Sequence, residues 1–124
     1  SKDFKIEVEE MNHLVKGGSL LHELFSNIIT NSIIHSSGDK IRIASNNINN
    51  HILMTIEDNG KGIPGKCKDK IFKKGFRKGE YGGSGLGLYL VKRICEYYDG
   101  SITVKDSDLG GTRFDVKLQN AQPN

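Results

Sequence analysis

Cysteine is scarce in this chain of 124 residues: Cys67 and Cys95 stand far apart, with no CxxC pair and no histidine partner nearby. That spacing excludes a disulfide scaffold and a zinc site, and it suits a reducing compartment, so a cytoplasmic domain is expected. Long apolar runs are also missing. Nothing approaches the roughly 20 residues of a membrane-crossing helix, and this domain is expected to make no membrane contact. The start, SKDFKIEVEE, is charged and alternating and does not read as a signal peptide. There are no internal repeats, and no GxxxxGK[ST] segment exists, which excludes a P-loop.

Two features are over-supplied. Of 15 glycines, nine lie between Gly60 and Gly87. Such clustering suggests one backbone-lined functional region rather than scattered turns. The net charge of +3 is local as well. Lys66, Lys68, Lys70, Lys73, Lys74, Arg77 and Lys78 supply seven of 18 basic residues against one acid, Asp69, leaving 11 basic and 14 acidic residues elsewhere. A basic segment on an acidic body points to a local anion-binding loop and away from nucleic acid.

The length suits a single domain, residues 1–124, able to bury a core. Phe4 to Glu9 alternates as an edge strand does. Leu20 to His35 reads as a helix begun by Ser19, with Leu21, Leu24, Phe25, Ile28, Ile29 and Ile33 on its apolar face. Lys40–Ser45 and His51–Asp58 form a hairpin about a turn in Asn46–Asn50. Asn59 to Gly83 has no steady period and is expected to be a mobile lid, since loops of that length are uncommon without a function. Ser84 to Tyr98 is a second helix, with Leu86, Leu90, Val91, Ile94 and Tyr98 inward and Asp99-Gly100 as its stop. Strands at Ser101–Lys105 and Thr112–Leu118 end the chain. The expected fold is an α/β (α+β) two-layer sandwich, a mixed sheet of about five strands covered on one face by helices.

Four segments carry candidate chemistry. On the first helix Glu23, Asn27, Asn31 and His35 recur at four-residue steps as one polar stripe. An Asn carbonyl is a hard neutral ligand for Mg²⁺, which keeps waters and phosphate oxygens as its other partners. Taken alone, the stripe is better explained by Asn27 and Asn31 capping neighbouring backbone groups. Second, Asp58-Asn59-Gly60-Lys61-Gly62-Ile63-Pro64 follows a strand. A carboxylate there can accept a hydrogen bond from an exocyclic amine such as that of adenine, whereas the guanine oxygen would repel it. A tight turn opened by Asp is the simpler alternative. Gly60-x-Gly62-x-x-Gly65 matches a dinucleotide fingerprint, but Pro64 and a lysine-rich loop stand where its helix should open. Third, Gly82-Gly83-Ser84-Gly85-Leu86-Gly87-Leu88 opens the second helix, where free N–H groups and the helix dipole suit phosphate. Each glycine inside a helix costs roughly 1 kcal/mol against alanine, so several imply a compensating use. Fourth, the basic lid Lys66–Lys78 carries Phe72 and Phe76, aromatics able to latch it to the body, while most of its lysines face solvent.

In this order the segments resemble the ATP-binding catalytic domain of sensor histidine kinases, within the gyrase, chaperone, histidine kinase and mismatch-repair ATPase superfamily (GHKL, the Bergerat fold). Asn27-Ile-Ile-Thr-Asn31-Ser-Ile-Ile-His35 resembles the N box, and Asp58-Asn-Gly60-Lys-Gly62-Ile63 the first G box. Ile71-Phe72-Lys-Lys-Gly-Phe76-Arg77 resembles the F box, and Gly83-Ser84-Gly85-Leu86-Gly87-Leu88 the second G box. Gly110-Gly111-Thr112-Arg-Phe114 is similar to the glycine–threonine element on the last strand. The resemblance implies ATP and Mg²⁺ as cofactors and a protein histidine kinase activity. It places Asn31 on Mg²⁺, Asn27 and His35 on the phosphates, and Asp58 on the adenine amine with Thr112 supporting through water. Gly60, Gly62, Ile63 and Phe72 would line the nucleotide site, Gly83, Ser84, Gly85, Leu86 and Gly87 would cradle phosphate, and Arg77 would steady the γ-phosphate.

Three departures stand out. Ile34 occupies a position where relatives often carry Lys or Arg, Gly75 is an extra residue between the lid aromatics, and the helical hairpin bearing the phosphoaccepting histidine is absent. His22-Glu23-Leu24 mimics the acceptor motif but sits on the nucleotide helix. The chain is therefore expected to be a monomeric domain of a longer, dimeric receptor. Its partners would be the histidine-bearing dimerisation domain and a response regulator. Two alternatives remain: a nucleotide-binding module without transfer, or a hydrolytic ATPase. Hydrolytic relatives use a Glu in place of Asn27 to activate water, and Asn cannot act as that base.

Overall fold

The computed structural model describes residues 5–8, 19–35, 37–75 and 87–119, with the backbone alone for 5–8, 19–22, 34, 35 and 48. Its elements are β1 (Lys5–Val8), α1 (Ser19–His35), β2 (Lys40–Ile48), β3 (His51–Asp58), α2 (Gly65–Lys68), α3 (Gly87–Tyr97), β4 (Ser101–Asp106) and β5 (Thr112–Gln119). The five strands form one mixed sheet in the order β1-β2-β3-β5-β4. β1 runs parallel to β2 and the other pairs are antiparallel. The expected two-layer α/β architecture is thus the observed one.

Period-2 alternation decides which sheet face is buried. Ile41 and Ile43, then Ile52, Met54 and Ile56, then Phe114, Val116 and Leu118 point to one side and join Leu24, Ile28, Val91 and Ile94 of the helices in a single core. α1 and α3 pack against each other over this face. On α1 the buried stripe is Leu24, Ile28 and Ser32, four residues apart, with Phe25 and Ile29 half-buried beside it. Ile33, expected inside, is 40% exposed, and so is Leu90 of α3 at 43%. In α3 the place expected for Leu90 is taken by Leu88 and Cys95, which flank Val91 and Ile94 on the buried arc.

Two connections differ from the sequence reading and a third agrees with it. β2 continues to Ile48, because Asn46 and Asn47 pair with Leu53 and Ile52. The turn is therefore a two-residue Asn49-Asn50 link, with Asn49 in the left-handed region at φ 57° as such hairpins require. The segment after Asn59 includes α2, which Cys67 anchors in the core, and Ile71 follows it inward. α3 stops as expected: Asp99 is left-handed, and the Gly100 N–H donates to the Cys95 carbonyl at 2.7 Å.

The opposite sheet face is polar. Arg42, Glu57, Arg113 and Lys105 lie directly across successive strands. Arg42 approaches Glu57 at 3.8 Å, while Lys105 and Arg113 meet Asp115 at 3.0 and 2.7 Å. The Asp115 hydrogen bond holds the Arg113 guanidinium above its ordinary pKa.

Candidate functional site

The site gathers at one end of the sheet. Asp58 is the last residue of β3 and shares the helix-covered face with Ile52, Met54 and Ile56, so the core surrounds it at 3% exposure. Its Oδ1 accepts the Gly60 N–H at 3.0 Å and the Thr112 N–H at 3.2 Å. Two backbone donors on one oxygen fix the plane of the carboxylate. A β-carbon at Gly111 would overlap Asp58 and the Gly60 backbone, so glycine is required there. Gly62 adopts a left-handed φ of 77° and faces Gly111. Thr112, expected to act through water, reaches Asp58 through its own backbone N–H.

Asn59 staples the loop to β2. Its Oδ1 accepts the Asp39 and Lys40 N–H groups at 2.9 and 3.0 Å, and its Nδ2 donates to Asp39 Oδ1 at 2.9 Å. A β-carbon at Gly38 would overlap this Asn59 amide. Ile63, half-buried against the core, is held through its carbonyl, which accepts the Lys68 ammonium at 2.7 Å. Lys68 also meets Asp106 at 2.8 Å. It is the exception among the described lid lysines, for Lys66, Lys70, Lys73 and Lys74 are exposed as expected. Phe72 meets Phe114 edge-on, centroids 6.3 Å apart, so the first lid aromatic does latch the segment to β5. A cleft of about 440 Å³ opens between Gly62–Pro64 and Gly110–Gly111.

The α1 stripe lies on the helix that packs against α3. Glu23 is exposed, and Asn27 and Asn31 are half-buried. Asn27 Nδ2 donates to the Glu23 carbonyl at 2.8 Å, the backbone bond that the sequence left open. That bond turns Asn27 Oδ1 toward the first residue of α3, 3.9 Å from where a Gly87 β-carbon would stand. Asn27 and Gly87 are thereby brought together. His35 is the last residue of α1, and its side chain lies outside the described residues, as do Phe76, Arg77, Gly83, Ser84, Gly85 and Leu86.

The donor set suits a nucleotide carrying its own metal. No group of three His, Cys, Asp or Glu side chains among the described residues could hold an ion alone. Asn amide oxygens are hard donors that share Mg²⁺ with phosphate and water. The oriented Asp58 carboxylate, walled by glycine backbone, can take an N–H donor from a flat base. Sequence reasoning assigned no role to Asn59, Gly38, Gly111 or Lys68, although Asn59 and Gly111 lie inside quoted motifs and Lys68 in the basic segment.

A five-stranded mixed sheet with two helices on one face and such a pocket at its end defines an ATP-binding α/β domain of the histidine kinase type. Residues 17–122 match the family described as histidine kinase-, DNA gyrase B- and HSP90-like ATPase. The chain belongs to that family, and membership implies the use of ATP. It is 36% identical to the sensor protein kinase WalK of Staphylococcus aureus, over 77% of this chain and 25% of that protein. The alginate biosynthesis sensor protein KinB of Pseudomonas aeruginosa is 34% identical over 79% of this chain and 17% of its own. The chain thus spans a quarter or less of these relatives. The ATP binding domain of PrrB from Mycobacterium tuberculosis shares the fold, with a TM-score of 0.81 at 21% identity, over 98% of this chain and 84% of that one.

Proposed function

We propose that this cytoplasmic domain binds Mg-ATP and donates the γ-phosphate to a histidine on a separate dimerisation domain of a two-component sensor kinase. The observation that carries the reading is the buried Asp58 carboxylate, oriented by the Gly60 and Thr112 N–H groups beside a glycine wall. The adenine amine donates to Asp58. Asn31 ligates the magnesium that the nucleotide brings, and Asn27 lines the phosphates across from Gly87. Magnesium supplies charge neutralisation on the phosphate oxygens. His35, Gly83, Ser84, Gly85, Leu86 and Arg77 complete the phosphate side in this reading. In transfer, the bond from γ-phosphorus to the ADP oxygen breaks and one to the acceptor imidazole nitrogen forms, with loss of the ring proton. A response regulator would then receive the phosphoryl group.

Hydrolysis is disfavoured by the residue at the water-activating position. Asn27 has no basic group, and its amide is tied to the Glu23 carbonyl. Glu23 itself is exposed.

The test combines this chain, radiolabelled ATP and a helical acceptor domain taken from the same full-length protein. Acid-labile, base-stable label on the acceptor is the expected result. Tight ATP binding without labelling would overturn transfer and leave a nucleotide-binding module.

A further inference from the structure

The geometry points to Glu57 and Ser107 as a positioning pair that holds the β4–β5 turn against Asp58 and so sets the preference for the adenine amine. This rests on Asp58 reading the base. Glu57 and Asp58 are neighbours in the chain and point to opposite sheet faces, yet both grip the same turn. Asp58 takes the Thr112 N–H from the helix-covered side at 3.2 Å. From the other side, Glu57 Oε1 accepts the Ser107 hydroxyl at 2.7 Å.

Ser107 is the hub of the turn. Its Oγ accepts the Leu109 N–H at 3.0 Å. Its own N–H donates to the Gly111 carbonyl at 2.8 Å, and its carbonyl accepts the Gly110 N–H at 3.0 Å. The turn needs such restraint. Gly110 sits at φ 109°, a conformation open to glycine, and Gly111 has room for no β-carbon beside Asp58.

Glu57 and Ser107 are each only 8% exposed, although among the described residues no helix covers their side of the sheet. A carboxylate withdrawn from water stays favourable only when it is well bonded. The Ser107 hydroxyl supplies a hydrogen bond, and Arg42, at 3.8 Å from Oε2, an opposite charge. Removing the hydroxyl leaves the turn pinned to the sheet from one side alone. Gly111 and Thr112 then shift relative to Asp58, and the carboxylate loses the plane in which it meets the amine.

A merely structural role would weaken every nucleotide alike, so the readout is a ratio. Mg-ATP and the triphosphate of purine riboside, which lacks the 6-amine, are titrated calorimetrically into the unsubstituted domain and into S107A, E57Q and E57L. Melting curves set a temperature at which each is folded. S107A and E57L are expected to cut the preference for ATP at least threefold, chiefly by weakening ATP. E57Q keeps an acceptor oxygen for Ser107 and is expected to retain the preference. An unchanged ratio in S107A overturns the inference even if both affinities fall, and so does a loss in E57Q as large as that in E57L. Should E57L fail to fold, S107A and E57Q decide alone. An unsubstituted domain that does not distinguish the two ligands would instead sink the assignment of Asp58, and this inference with it.

Discussion

Gly111 lies against the carboxylate of Asp58 with no room for a β-carbon between them. The contact joins the end of β3 to the start of β5 and aligns the Thr112 N–H with Asp58 Oδ1 at 3.2 Å. Gly111→Ala must push the strand ends apart or rotate the carboxylate. Overpacking of this kind costs about 1–3 kcal/mol. Thermal unfolding should show a lower Tm for the variant, with weaker ATP binding at temperatures where it is folded. A Tm and an affinity equal to those of the parent would refute the contact.

Asp58→Asn keeps an oxygen for the Gly60 and Thr112 N–H groups but turns an amide toward the base. A hydrogen bond to a charged group contributes about 1.5–3 kcal/mol, so ATP affinity should fall about 10- to 100-fold with little change in stability. Calorimetric titration checks this. Inosine triphosphate, with an oxygen in place of the amine, should lose less or gain.

Asn31→Ala removes the proposed magnesium ligand from a half-buried position on α1. Circular dichroism should be unchanged. The increase in ATP affinity on adding Mg²⁺ should disappear, and a persistent magnesium response would remove Asn31 from the site.

Glu23→Gln tests hydrolysis. Glu23 is exposed, and its backbone carbonyl rather than its carboxylate meets Asn27. Exposed substitutions move free energies by about 0.5 kcal/mol, so phosphate release should stay within about twofold of the parent rate. A near-complete loss of release would revive the hydrolytic reading.

Burial pushes the Cys95 thiol up from 9.0 to about 12. The folded state keeps the proton that the unfolded chain releases above pH 9, so this group's stability contribution is intact below 9. It is lost as the pH rises toward 12, at about 1.4 kcal/mol per pH unit. Denaturant titrations between these values should show the decline, and Cys95→Ala should flatten it. Native Cys95 should also resist iodoacetamide at pH 8 and react on unfolding.

Much of this molecule was legible along the chain. Alternation in Ile41–Ile43 and Ile52–Ile56 marked two strands and their buried face, since a pleated strand exposes its two sides in turn. Asn27 and Asn31 were visible from helical spacing, and Asp58 from its place between a strand and a glycine run. Periodicity failed at Ile33 and Leu90: it finds an apolar arc but not how much of that arc a neighbour covers.

Residue type and spacing alone settled the fold class, the two helices and the order of the glycine segments, because these follow from short-range backbone geometry and the burial of apolar side chains. The tertiary structure decided which groups meet. Gly111 and Asp58, Ser107 and Glu57, and Lys68 and Asp106 are each far apart in sequence. Hydrogen bonds and steric exclusion act over a few ångströms of space, so only the sheet order β3-β5-β4 could bring these partners within reach of each other.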